Sequence, residues 1–61
     1  MFTYSVYATE LDGVACFGYN VFLDGDLNIG PQDFKPGASG FQPMTAAEAE
    51  SYAQAYIAAQ G

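Results

Sequence analysis

The chain has 61 residues, seven acidic side chains, one lysine and no arginine or histidine, so its formal net charge at pH 7 is −6. Nucleic acids and anionic membranes bind proteins through cations that displace phosphate counterions, so this balance argues against direct binding to either. A chain of this length is expected to form one small domain over residues 1–61, and the fraction of surface it can bury is low.

Residues 2–23 are predicted to form a β-hairpin around Asp12 and Gly13. A two-residue Asp-Gly loop between alternating apolar runs favours a type I′ turn, in which both central residues have positive φ. The turn pairs Leu11 with Val14 and puts most of the apolar residues on one face: Phe2, Tyr4, Val6, Ala8, Ala15, Phe17, Tyr19, Val21 and Leu23. A one-residue slip would divide this set between two faces, so the turn and the pattern support the same register.

The opposite face of the hairpin is predicted to be an interaction surface. Its apolar members are Tyr7, Leu11, Val14, Cys16 and Phe22, which lie among Thr3, Ser5, Thr9 and Asn20. One helix can cover only one face of a sheet, and contiguous apolar patches tend to mark sites of interaction. Neither strand contains proline or lysine, residues that discourage another strand from pairing with an exposed edge. The ring of Tyr7 is expected to lie across Gly18, the residue opposite it.

A short third strand is predicted at residues 27–29, after a three-residue loop at residues 24–26. This register would bring Leu27 opposite Leu23 and Ile29 opposite Val21. Gly30 and Pro31 are expected to end the strand.

Residues 30–43 are rich in glycine and proline and are predicted to form a loop. Its aromatic residues, Phe34 and Phe41, are expected to anchor the loop on the core, the alternative being exposed rings that contact a partner. Lys35, the single cationic side chain, is expected to pair with a nearby carboxylate.

The segment after the second hairpin strand resembles part of a calcium loop. Asp24, Asp26 and Asn28 occupy its first, third and fifth positions, but Ile29 stands where the loop needs glycine and Lys35 where it needs a bidentate glutamate. A polar turn is the better interpretation, and we expect no metal site.

Residues 45–60 are predicted to form a helix. Thr45 and Glu48 have the spacing of a capping box, and Gly61 stands where a helix often ends. An apolar stripe should cover the hairpin; its members are Ala49, Tyr52, Ala53, Tyr56 and Ile57. The predicted fold class is α+β, a two-layer ββ(β)α arrangement with the helix on one face of an antiparallel hairpin or three-stranded sheet.

Few residues in the chain could support catalysis. Without histidine or arginine, acid–base chemistry would fall to carboxylates and tyrosines. Cys16 has no neighbouring base in sequence to lower its pKa, and a lone cysteine provides neither an internal disulfide nor a metal cluster. The sequence therefore predicts a protein that is not an enzyme and needs no cofactor.

Residues 40–53 resemble the Phe-x-Pro-Met-Thr-x-x-Glu-Ala ending of many short, uncharacterised bacteriophage proteins. The resemblance covers the C-terminal third of the chain and implies a phage-encoded accessory or virion protein, with no catalytic residues to transfer. No signal peptide or membrane-spanning stretch is apparent, so the expected location is the host cytoplasm or the virion.

Two functions fit these observations. One is a protein-interaction or assembly protein that pairs with a second copy or another protein through its free sheet face or edge. The alternative is an acidic inhibitor of a host protein, acting in host takeover or against host defence by binding a basic surface. Mimicry of a phosphate row requires clustered carboxylates, whereas Glu10 and Asp12 lie at one end of the predicted hairpin and Asp24 and Asp26 at the other. The sequence therefore favours the first function.

Overall fold

Two Asp-Gly turns fold the N-terminal half of the chain into an antiparallel sheet. In a computed structural model, which describes residues 1–35, 37 and 42–60, strands β1 (Phe2–Leu11), β2 (Val14–Leu23) and β3 (Asp26–Gln32) lie in the order β1-β2-β3. Helix α1 (Ala46–Gln60) packs against β1 and β2. The predicted α+β fold, with a helix on a three-stranded sheet, is confirmed.

The β1–β2 hairpin has the predicted turn and the predicted register. Asp12 and Gly13 have φ angles of 50° and 78°, as a type I′ turn requires. Pairing runs without interruption from Leu11 and Val14 to Phe2 and Leu23. Every side chain of the hairpin therefore lies on the face that the sequence predicted.

The second turn is shorter than predicted. Asp24 and Gly25 also have positive φ, 51° and 87°, so they form a two-residue turn and Asp26 lies opposite Leu23. Leu27 consequently pairs with Phe22, and its predicted pairing with Leu23 is wrong. Ile29 nevertheless lies opposite Val21 as predicted, because a β-bulge at Asn28 restores the register.

β3 continues through Gly30 and Pro31, which were expected to end it. A second irregularity lies between the pairs that Tyr19 and Val21 make with β3, and the strand then runs to Gln32. Proline is tolerated there because β3 lies at an edge of the sheet.

The core lies between the sheet and α1. Its buried residues are Tyr19, Val21, Met44, Ala49 and Ala53, and the remaining members of the helix stripe pack around them. Met44 is 2% exposed, and its carbonyl accepts a hydrogen bond of 3.0 Å from the amide of Phe17. The segment before the helix thus continues the hydrogen bonding of β2 beyond the end of β3. Ala8, Ala15 and Leu23 lie on the predicted core face but are exposed.

A capping box starts α1, as the sequence predicted. The Thr45 hydroxyl accepts a hydrogen bond of 3.2 Å from the Glu48 amide, and the Glu48 carboxylate accepts one of 3.0 Å from the Thr45 amide. The second of these bonds, helped by Lys35 at 3.1 Å, lowers the pKa of Glu48. The predicted pairing of Lys35 with a carboxylate is confirmed, and Gly61 lies outside the described residues.

Candidate protein-interaction surface

The face of the sheet opposite α1, here called the outer face, carries the residues of the predicted interaction surface. Val14 is exposed, whereas Tyr7, Leu11 and Phe22 are partly buried. Cys16 is only 3% exposed, so its predicted place on an accessible surface is wrong. In the register Cys16 lies opposite Thr9, between the pairs Val14–Leu11 and Gly18–Tyr7 on the same face.

Tyr7 forms a fixed contact in the middle of the outer face. A Cβ atom on Gly18 would lie 2.5 Å from the Tyr7 hydroxyl oxygen, so the ring lies across the glycine as predicted. The hydroxyl donates a hydrogen bond to the Asp33 carboxylate. Burial, followed by the hydrogen bond to Asp33 and its charge, raises the pKa of Tyr7 well above its usual 10.0. Tyr7 is therefore held in place by the fold.

The remaining apolar side chains of the outer face lie in two places. Leu11 and Val14 adjoin the first turn, and Phe22 adjoins the second, at the other end of β2. Leu27 joins Phe22 there and is 60% exposed. Leu27 was missed because the turn before it was expected to have three residues; a comparison with the first Asp-Gly turn would have placed it correctly.

The two loop residues proposed as anchors have different outcomes. Phe34 is 51% exposed, so the expectation that its ring anchors the loop on the core is wrong. The loop is instead held where Lys35 donates its amide hydrogen to the carbonyl of Gln42, at 3.0 Å, and by the ion pair of Lys35 with Glu48. Phe41 lies outside the described residues.

An open apolar cleft, here called the β1 groove, lies on the helix side of the sheet between β1 and the second half of α1. It has a volume of about 510 Å³ and is lined by Phe2, Thr3, Tyr4, Gln54, Ile57 and Ala58. No pattern in the sequence indicates the β1 groove, because its shape depends on how far α1 extends across the edge of the sheet. A smaller cleft of about 270 Å³ lies beside Tyr19, Tyr52, Ala55 and Tyr56.

The register shows which backbone groups of β1 point away from β2. Leu11 and Val14 flank a two-residue turn and form a hydrogen-bonded pair, after which bonded and non-bonded pairs alternate. The amide of Asp24 donates to the carbonyl of Met1 at 2.9 Å, which follows the same alternation. The outward N–H and C=O groups therefore belong to the residues of the helix-side face of β1, which are Phe2, Tyr4, Val6, Ala8 and Glu10.

The two edges of the sheet differ in regularity. β3 carries two irregularities and Pro31, features that discourage the addition of another strand. β1 has ten residues in continuous register and contains neither proline nor lysine. Within the described ranges, no strand pairs with the outward side of β1. β1 is therefore the edge at which another strand can add.

Carboxylates lie near both ends of the β1 edge. Tyr4 donates its hydroxyl hydrogen to Glu50 at 3.1 Å, and the Gln54 amide donates to the same carboxylate at 3.4 Å. Glu50 therefore lies at the rim of the β1 groove. Glu10, near the first turn, is exposed on the helix-side face of β1. Lys35 cannot neutralise this edge, since it pairs with Glu48.

The residues considered for calcium have other roles. Asp24 belongs to the two-residue turn, and the side-chain oxygen of Asn28 accepts a hydrogen bond of 2.6 Å from the Tyr56 hydroxyl. Among the described side chains, no group of three His, Cys, Asp or Glu could hold a metal ion. Over residues 1–35, 37 and 42–60, no helix has the length and apolar character needed to cross a bilayer.

Taken together, residues 1–35, 37 and 42–60 define a small sheet in which the regular edge strand β1 lies open beside an apolar groove. Comparison with models of known families, with curated proteins and with solved structures finds no match for the chain.

Proposed function

We propose that this chain is a non-enzymatic protein-interaction module that pairs with its partner by strand addition along β1. The observation that carries the proposal is the edge of β1 beside the β1 groove, with which no strand among the described residues pairs. In strand addition, main-chain hydrogen bonds supply affinity and pockets for alternate side chains supply specificity. β1 offers both, because the residues with outward backbone groups also have their side chains on the groove side.

The distribution of four of the carboxylates gives little support to phosphate mimicry. Asp12 lies in the first turn and Asp24 in the second, at opposite ends of the ten-residue strand β2. Asp33 accepts from Tyr7, and Glu48 is paired with Lys35. These four carboxylates do not form one row, so mimicry of a phosphate row, by which the acidic-inhibitor alternative would occupy a nucleic-acid site, has less support. The accessory or virion-associated role in a phage rests on the resemblance of residues 40–53.

Ala8 provides a test that leaves the sheet intact. Its side chain is exposed and its N–H points away from β2, so Ala8→Pro removes an outward donor without breaking a β1–β2 hydrogen bond. Ala8→Val keeps the donor and serves as the matched control. Circular dichroism and thermal melting establish that both variants fold.

The chain and both variants are immobilised to capture proteins from a bacterial lysate, and each is sedimented alone at several micromolar concentrations. We expect Ala8→Pro, but not Ala8→Val, to lose a captured protein or a self-associated species. Loss with Phe22→Asp and not with Ala8→Pro would move the interaction to the outer face. A strict monomer whose captured proteins are unchanged in all three variants would refute the proposed function.

A further inference from the structure

We infer that the partner of the β1 edge is an extended segment of another protein in which apolar residues alternate with others and which carries lysine or arginine near both ends of the paired stretch. This inference rests on the proposed function and adds the chemistry of the partner. It follows from three features of the described residues. The β1 residues whose N–H and C=O groups point outward have their side chains on the helix side, the β1 groove has an apolar lining, and carboxylates lie beside it.

The apolar requirement follows from the register. A partner residue that exchanges hydrogen bonds with Tyr4 lies directly opposite it, and side chains of directly opposite residues are on the same face. Its side chain therefore points to the helix side, where the β1 groove is lined by Phe2, Ile57 and Ala58. The next partner residue points to the outer face, beside Thr3 or Ser5, which are exposed and polar. Apolar side chains are thus favoured at alternate positions only.

The basic requirement follows from the carboxylates along the edge. Glu50 lies at the rim of the groove, bonded to Tyr4, and Glu10 is exposed toward the other end of β1. The chain has one lysine and no arginine, and that lysine, Lys35, is paired with Glu48. A partner must therefore supply any cation that balances Glu10 and Glu50.

A second copy of this chain fits the same edge less well. Two copies would each carry a net charge of −6 and would place Glu10 and Glu50 near the junction without a free lysine or arginine. The chain also has no excess surface to bury, since its accessible area is 3837 Å². A compact monomer of its mass, 6.5 kDa, exposes roughly 3800 Å². The single chain thus exposes no more surface than a compact monomer of its mass, and its surface area gives no reason to expect a dimer.

A display library of random peptides tests the partner chemistry directly. The complete chain is the target, and a peptide recovered from the library is synthesised together with a counterpart in which each lysine or arginine is replaced by glutamate. Binding is measured by fluorescence anisotropy at low and high ionic strength. We expect selected peptides to alternate apolar residues and to carry basic residues, with affinity that falls as salt rises.

Three pairs of variants locate the peptide on the structure. Ala8→Pro should weaken binding by at least about tenfold and Ala8→Val should not, because one main-chain hydrogen bond and the approach of the strand are lost. Glu50→Gln should weaken binding by about threefold at low salt. Asp26→Asn, the same change of charge on β3, should have no effect. Ala58→Arg, which puts a cation into the β1 groove, should abolish binding, whereas Ala59→Arg should not.

The outcomes separate this inference from the proposed function. Sensitivity to Ala8→Pro with equal binding of the basic peptide and its glutamate counterpart would overturn the partner chemistry and leave strand addition in place. A chain that dimerises through β1, as shown by loss of the dimer in Ala8→Pro, would do the same. Selected peptides that bind Ala8→Pro as tightly as the parent, or a library that yields no binder, would overturn both.

Discussion

Replacing Gly18 by alanine should destabilise the protein, although glycine usually weakens a strand and its replacement would ordinarily be stabilising. A Cβ atom at this position would lie 2.5 Å from the Tyr7 hydroxyl oxygen and 2.6 Å from the carbonyl oxygen of Gln32. The second atom belongs to the backbone of β3, where Gln32 pairs with Tyr19, so it cannot withdraw without disturbing the sheet. The phenol can withdraw only by giving up its bond to Asp33.

The size of the effect follows from these contacts. An added methyl group in a filled site costs about 1–3 kcal/mol, and loss of the bond from Tyr7 to Asp33 costs about 0.5–1.5 kcal/mol more. Alanine also reduces the conformational freedom of the unfolded chain, which offsets about 0.4–1 kcal/mol of this loss. The net loss for Gly18→Ala should be about 2 kcal/mol, which in a domain of this size lowers the melting temperature by roughly 10 °C.

Urea unfolding, followed by circular dichroism, measures the loss of stability. The same substitution made in a Tyr7→Ala protein tests the cause of that loss. In a Tyr7→Ala protein one of the two crowded neighbours is absent, so Gly18→Ala should cost less there, with a coupling free energy of about 0.5 kcal/mol or more. The carbonyl of Gln32 remains, so the cost should not vanish. If Gly18→Ala were as stable as the parent or more stable, the reasoning about this contact would be wrong.

Three further predictions concern the core, the helix and pH. Met44→Ala should cost about 2–5 kcal/mol in urea unfolding because the side chain is fully buried. Thr45→Ala should cost about 1 kcal/mol and reduce the helical signal, whereas Thr45→Ser, which keeps the capping oxygen, should retain most of the stability. Folding raises the pKa of Tyr7 above 10.0. The contribution of Tyr7 to the free energy of unfolding should therefore be fully present below pH 10 and decline at higher pH. Tyr7→Phe should show a shallower decline in unfolding measured across this range, and an unchanged slope would contradict the assignment.

The parts of the fold that the sequence alone determined depend on neighbouring residues. The first Asp-Gly turn needs only two residues that adopt positive φ, and it fixes the face of the sheet on which every side chain of β1 and β2 lies. The capping box of Thr45 and Glu48 likewise acts within one helical turn. The apolar faces follow from periodicity, so the hairpin register, the start of the helix and its buried stripe were all predicted correctly.

The tertiary structure decided the features that depend on distant segments. Met44 is buried because its segment bonds to Phe17 in β2, and nothing near Met44 in sequence signals that contact. Cys16 is buried although its position in the pattern is that of an exposed residue.

The candidate site shows the same division. The parity of β1, and hence the residues with outward backbone groups, follows from the turn at Asp12 and Gly13. The β1 groove follows from where α1 lies across the sheet, which is set by packing between segments about 50 residues apart, such as Tyr4 and Gln54. Sequence thus determined which edge groups are available, and only the packing of the helix on the sheet decided that an apolar groove lies beside them, because side chains that meet across a core are not ordered by their spacing along the chain.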